Sequence, residues 1–227
     1  MPSEFDRVGD RYEELVDRSI AFSGRAHSFF LEAKARALLD VIARRVALPG
    51  DVRALDVGCG NGSLHAFLEA LGSLDGIDPS EALIAEARER HPGVPYAVAD
   101  GTQLPFGDGA FDVAFTVCVL HHIEAARRSK FARELVRVTR RGGLVVVFEH
   151  NPLNPLTRLA VSRCTFDEDS VLLGRRETRR LLRAAGARPV EQRYSLFFPW
   201  GGRPFAAAER ALAAIPFGAQ YYVVAAV

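Results

Sequence analysis

The chain has 227 residues, enough for one α/β domain with a full core. Hydrophobic residues make up 48%, charged residues 25%, and the formal net charge is +1, so composition excludes a disordered chain and argues against nucleic acid as the main partner. Cys59, Cys118 and Cys164 are odd in number and far apart, which reads as reduced thiols in a cytoplasmic protein rather than a disulfide framework. No apolar run reaches the ~18 residues of a membrane span, and the polar, acidic start of the chain does not read as a signal peptide.

Residues 10–46 read as helical in at least two pieces. Tyr12, Leu15 and Val16 form one apolar face, a break falls near Ser23-Gly24, and Phe29, Phe30, Ala33, Ala37, Leu38 and Val41 then recur at helical spacing. Pro49-Gly50 closes this section. Residues 1–50 are therefore expected to form an N-terminal helical segment. It is either a lid, with Tyr12, Arg25, His27 and Phe30 facing a pocket, or an ordinary cap on the sheet. Residues 51–227 are the main domain, with substrate-side elements within 151–218.

An apolar strand over Val52–Val57 runs into Gly58-Cys59-Gly60-Asn61-Gly62, and a helical pattern, Ser63–Leu71, follows. Strand, Gly-rich turn and helix let a ligand lie against bare backbone and aim a helix N-terminus at an anionic group. Gly58, Gly60 and Ser63 nearly fit the dinucleotide fingerprint. Asp56, two residues before the first glycine, decides against it: a carboxylate under the loop suits a cationic amine and suits a pyrophosphate badly.

With Asp56, Gly58, Gly60 and Gly62 in the order D-x-G-x-G-x-G, the chain resembles the class I S-adenosylmethionine (SAM)-dependent methyltransferases. The segment Leu104, Pro105, Phe106, Asp108, Phe111 and Asp112 matches the L-P-F-x-D-x-x-F-D stretch of the type 11 and ubiquinone/menaquinone-biosynthesis members. The resemblance spans residues 50–150 and weakens at both ends. It implies an α/β, Rossmann-like seven-stranded mixed sheet, mostly parallel with an antiparallel C-terminal hairpin, and helices on both faces. It also implies SAM as cofactor, S-adenosylhomocysteine (SAH) as product, and no metal. The implied cofactor residues are Asp56, Gly58, Cys59, Gly60, Asn61 and Gly62 in the loop. Asp78 follows for the ribose and Asp100, Gly101 and Thr102 for the adenine, with Pro79, Val117 and Tyr12 as further cofactor contacts.

The remaining elements fit that frame. Leu74–Asp78 is a short strand, and Ser80 caps a helix to about Arg90. Val94–Ala99 and Phe111–Val119 are the next strands, the latter leading to Leu120-His121-His122-Ile123. Ala125–Arg140 is a basic amphipathic helix striped by Phe131, Leu135 and Val138, terminated by Gly142-Gly143, and Leu144–Phe148 is a buried strand. Glu177–Ala185 is a helix closed by Gly186. Strands Val190–Phe198 and Gln220–Val227 flank a helix over Arg203–Ala214.

His150, His122, His121 and Glu149, in that order, are the candidate catalytic groups, because histidine titrates near neutrality and lies here at strand exits. Each is alternatively a structural or merely pocket-lining residue. Phe30, Asn151, Arg158, Phe197 and Trp200 are candidates for acceptor binding. The expected partner is a small or lipid-like acceptor, not nucleic acid, methylated on O, N or C by in-line displacement. The competing readings are a SAM-binding protein without transfer activity and an NAD(P)-dependent oxidoreductase, for which no Tyr-x-x-x-Lys hydride site is found.

Overall fold

The computed structural model describes residues 12–165, 170–198, 200 and 203–227, with only the backbone of residues 12, 203, 204 and 206. Seven strands form one sheet: β1 (Arg53–Val57), β2 (Ser73–Asp78), β3 (Tyr96–Val98), β4 (Phe111–Val117), β5 (Thr139–His150), β6 (Arg188–Ser195) and β7 (Gln220–Ala226). Their order is β3-β2-β1-β4-β5-β7-β6. The first five are parallel, and β7 runs antiparallel to both β5 and β6. The mixed sheet and its C-terminal hairpin are as the sequence predicts.

Period-2 alternation builds a core on each face. Leu55, Val57, Val145, Val147, Tyr221, Val223 and Ala225 point to one side, where Phe131, Leu135 and Val138 of α4 (Ala125–Val138) and Leu182 of α6 (Arg175–Ala184) pack. Ala54, Leu144, Val146, Phe148, Tyr222 and Val224 point to the other, against Leu31, Leu38, Val41 and Ile42 of α2 (His27–Arg45). The N-terminal segment is α1 (Tyr12–Ile20), a 3-10 turn (Ala21–Ser23) and α2, with Gly24 in the left-handed region at the break. Ser80 caps α3 (Glu81–Arg90) by accepting the N–H of Leu83 at 3.2 Å. Asn154 caps α5 (Pro155–Val161), and α7 (Arg203–Leu212) precedes the last strand.

Two expected elements differ. The helix over Ser63–Leu71 is not formed; only a 3-10 turn, His65–Phe67, lies between β1 and β2. The crossover must return along β1, whose five residues span about 17 Å at ~3.3 Å each. Nine α-helical residues rise only ~14 Å, and the more extended 3-10 turn covers more length per residue. His65 also turns inward, 3% exposed, to bond with Asp56 and Tyr96. The glycine loop is therefore not followed directly by the N-terminus of an α-helix. Second, α4 ends at Val138, not at the glycines, because Thr139 turns extended and spends its hydroxyl on the Leu135 carbonyl at 2.7 Å. Gly142 and Gly143 belong to β5, where a Cβ on Gly143 would lie 2.5 Å from the Asp112 carbonyl oxygen.

Candidate active site

The C-terminal ends of the parallel strands open into a cavity of about 710 Å³, in the range of small-molecule sites. One half follows β1, β2 and β3. The loop after β1 lines it with Gly58, Cys59, Gly60 and Asn61, and Asp78 and Pro79 enter from the end of β2. Asp78 is 7% exposed; Oδ2 accepts the N–H of Gly60 and Oδ1 that of Ser80, both at 2.9 Å. One carboxylate thus fixes the glycine loop and the start of α3. Asp100, Gly101 and Thr102 follow β3. Burial on its own raises the Asp100 pKa, but the N–H and hydroxyl of Thr102, at 2.9 Å each, and the Arg127 guanidinium outweigh it and hold the carboxyl below its usual range.

Asp56 lies beneath the loop and is 2% exposed. Its Oδ2 accepts from His65 Nε2 at 3.1 Å, and the Tyr96 hydroxyl sits 2.6 Å from His65 Nδ1. Its Oδ1 is buried with no hydrogen-bond partner among the described residues. Burial pushes the Asp56 pKa up, and His65 offsets this only in part. A buried carboxylate oxygen without a donor is costly, and a ligand's ammonium group supplies one. At Gly60, φ is +54° and an added Cβ would meet nothing within 4 Å, which leaves the backbone open to close approach. These features fit SAM: Asp56 for the ammonium, Asp78 for the ribose hydroxyls, Asp100 for the adenine amine.

The other half of the cavity lies over β4, β5 and β7. His121 and His122 follow β4 in a 3-10 turn, and His150 ends β5. All three line the cavity. Ring centroids are 4.2 Å apart for His121 and His122 and 5.1 Å for His121 and His150. Glu149 is fully buried; it accepts the His121 Nδ1–H at 2.7 Å and the Leu120 N–H at 2.7 Å. Its burial raises the pKa, but facing His121, His150 and the Leu120 N–H outweigh this and hold it low. Glu149 does not line the cavity; it fixes the orientation of the His121 ring through Nδ1.

Of the other residues expected from the sequence, Val117, Phe30 and Phe197 line the cavity, as do Thr102 and Cys59. Gly62 lies behind the loop against Tyr96 and His91. Asn151 is buried away from the cavity, its amide donating to the carbonyls of Pro216 and Gly218 at 3.0 and 2.7 Å. Arg158 is exposed on α5 outside the lining. Trp200, 54% exposed, stacks on Phe198, which does line it. Tyr12 opens α1, but its side chain lies outside the described residues. Among the described residues no cluster of three or more His, Cys, Asp or Glu is arranged to hold a metal ion.

Ser63 Oγ donates to Glu13 of α1 at 2.6 Å, Arg90 pairs with the same carboxylate, and Val16, Ser19, Ile20 and His27 line the cavity. Sequence reasoning missed Lys34 and Gln220. Lys34 is 7% exposed on α2 and lines the cavity, with Nζ 3.7 Å from Cys118 Sγ. The signal was present: Lys34 falls among the apolar positions Leu31, Ala35 and Leu38. Cys118 has φ of 58°, rare for a residue with a Cβ, at the turn out of β4. His27 is pushed down to about 4 by burial and by the Lys34 cation, so it is neutral at pH 7.

Residues 55–147 match the family model described as a methyltransferase domain. A demethylmenaquinone methyltransferase of Beutenbergia cavernae is 36% identical over 115 residues, 50% of this chain and 45% of that protein. A tRNA (carboxymethyluridine(34)-5-O)-methyltransferase of Arabidopsis thaliana is 37% identical over 102 residues, 44% of this chain and 24% of that protein. The match thus spans less than half the length of these curated relatives. Over 98% of the chain the fold matches a solved SAM-dependent methyltransferase from Thermotoga maritima, 97% of which is covered, with a TM-score of 0.68 at 20% identity. Residues 55–147 thus match a methyltransferase domain, and the chain has the fold of solved SAM-dependent methyltransferases.

Proposed function

We propose that the protein transfers a methyl group from SAM to a small, partly apolar acceptor. The observation that carries this is one cavity joining Asp56, Asp78 and Asp100 at successive strand ends to the histidines beyond β4. Bound there, SAM supplies an electrophilic methyl on a good leaving group. The chain supplies alignment, exclusion of water by α1 and α2, and a proton acceptor; positioning alone is worth about 7–11 kcal/mol. His121 leads the histidines in this reading, ahead of His150 and His122, because the buried Glu149 carboxylate accepts its ring N–H at 2.7 Å. Glu149 is then a positioning residue. Phe30, Phe197 and Phe198 give the acceptor half apolar walls.

Demethylmenaquinone and tRNA methyltransferases both match this domain. The enclosed histidines favour a small acceptor over a base held in a folded RNA. No helix of the described residues is long and apolar enough to cross a membrane. The test is incubation with methyl-labelled SAM and an extract of small metabolites, with label sought in new products. SAH binding with no label transfer to any fraction would favour a binding protein over an enzyme.

A further inference from the structure

The acceptor half of the cavity holds a buried lysine. Lys34 is 7% exposed, makes no ion pair among the described residues, and meets a thiol, Cys118, at 3.7 Å. Lysine is seldom buried unless paired, and a thiol is a weak hydrogen-bond partner. The same sulfur is 3.8 Å from Gln220 Nε2, so Lys34 and Gln220 converge on one point from α2 and β7. Gln220 Nε2 lies 3.5 Å from His150 Nδ1, while Oε1 is buried with no partner among the described residues. The nearby buried carboxylate, Glu149, spends its oxygens on His121 and on the N–H of Leu120.

We propose that Lys34, Gln220 and His150 form a subsite that recognises an anionic oxygen of the acceptor, so that the acceptor is an organic acid with an apolar body. This rests on the methyltransferase reading above. Lys34 supplies the cation, Gln220 Nε2 a donor, and the orphaned Oε1 an acceptor for a hydroxyl or protonated oxygen beside the anion. The position matters. Asp56, Asp78 and Asp100 line the half over β1 to β3, whereas Cys118, His150 and Gln220 come from β4, β5 and β7. An acidic acceptor supplies the counter-charge that Lys34 lacks among the described residues, while an amine acceptor would set a second cation beside it, so the subsite selects against it.

The test uses two fluorescent probes with the same aryl-amine skeleton: 1-anilinonaphthalene-8-sulfonate, an anion, and neutral N-phenyl-1-naphthylamine. Each is titrated into the full chain with and without saturating SAH. Lys34→Met keeps the buried stem, and Gln220→Glu places a fixed negative charge beside Lys34. In both variants the affinity ratio of anion to neutral probe is expected to fall about tenfold or more relative to wild type, with SAH affinity unchanged. A ratio that stays the same in both variants overturns the inference. So does a Lys34→Met protein that loses SAH affinity while keeping the ratio, since Lys34 would then serve the cofactor's own carboxylate. An anion preference in a wild-type protein that binds no SAH would keep the subsite and remove the methyltransferase reading.

Discussion

Replacing Glu149 with glutamine separates its structural role from its effect on His121. In the native chain one carboxylate takes two donors, Leu120 N–H and His121 Nδ1–H, each at 2.7 Å. Glutamine has the same shape and one acceptor. Its Oε1 can keep the Leu120 N–H, and its amide must then face His121 as a donor. The imidazole can meet it by moving its proton to Nε2 and accepting one of the two amide N–H groups, so fewer buried groups are stranded than in Glu149→Ala. The loss is the difference between charge-assisted and neutral hydrogen bonds, about 1–2 kcal/mol, a fall in Tm of roughly 2–8 °C. Glu149→Ala cannot be rescued this way and leaves His121 facing a void, at about 3–5 kcal/mol. Methyl transfer to a hydroxyl acceptor should drop about 100-fold or more in Glu149→Gln, because His121 loses the carboxylate that stabilises its proton-carrying form. Thermal melts read the first effect, and nitrogen-15 spectra of the histidine rings read the tautomer. If Glu149→Gln costs as much as Glu149→Ala, or His121 keeps its proton on Nδ1, the orienting role is refuted.

Other expectations follow from the same geometry. Asp78→Asn should weaken SAH binding by about 1.5–3 kcal/mol, roughly 10–100-fold, and lower Tm slightly because Asp78 also holds Gly60 and Ser80; an unchanged Kd would remove its ribose role. Gly60→Ala meets no atom within 4 Å, so it should fold with a strain of only about 1–2 kcal/mol yet bind SAH poorly, and full affinity would show that no ligand approaches there. Glu191 joins Arg44 and Arg45 of α2 to β6. Burial alone would raise its pKa, but hydrogen bonds from Arg44, Arg45 and Tyr222 bring it down to about 2. A folded pKa below the unfolded value of about 4.3 gives stability that is present above pH 5 and lost as pH falls toward 2. With the arginines partly exposed, Glu191→Gln should cost about 1–2 kcal/mol at pH 7 and little at pH 2.5, measured by urea unfolding.

The sequence revealed most where short-range chemistry decides the structure. The apolar runs of β1, β4 and β5, the Ser80 cap and the break at Gly24 depend on residues close in the chain. The positions of the three carboxylates proposed for the cofactor were legible for the same reason: Asp56, Asp78 and Asp100 each sit at the exit of a strand whose alternation is visible. What failed depended on distant partners. The crossover after Gly62 has a helical pattern, but the span of β1 and the pull of Asp56 and Tyr96 on His65 override it. Gly142-Gly143 looks like a helix stop, yet the close approach of Asp112 from β4 requires glycine inside β5. The pairing of Glu149 with His121, 28 residues earlier, and the convergence of Lys34 with Gln220 arise only once β4, β5 and β7 lie side by side.

The central claim is that the cavity binds the SAM/SAH skeleton, and calorimetric titration with SAH tests it most directly. Micromolar binding with one site per chain, and no heat from NAD under the same conditions, is the result predicted here. A folded protein that binds NAD, or binds neither, would contradict the assignment of Asp56, Asp78 and Asp100 to that cofactor.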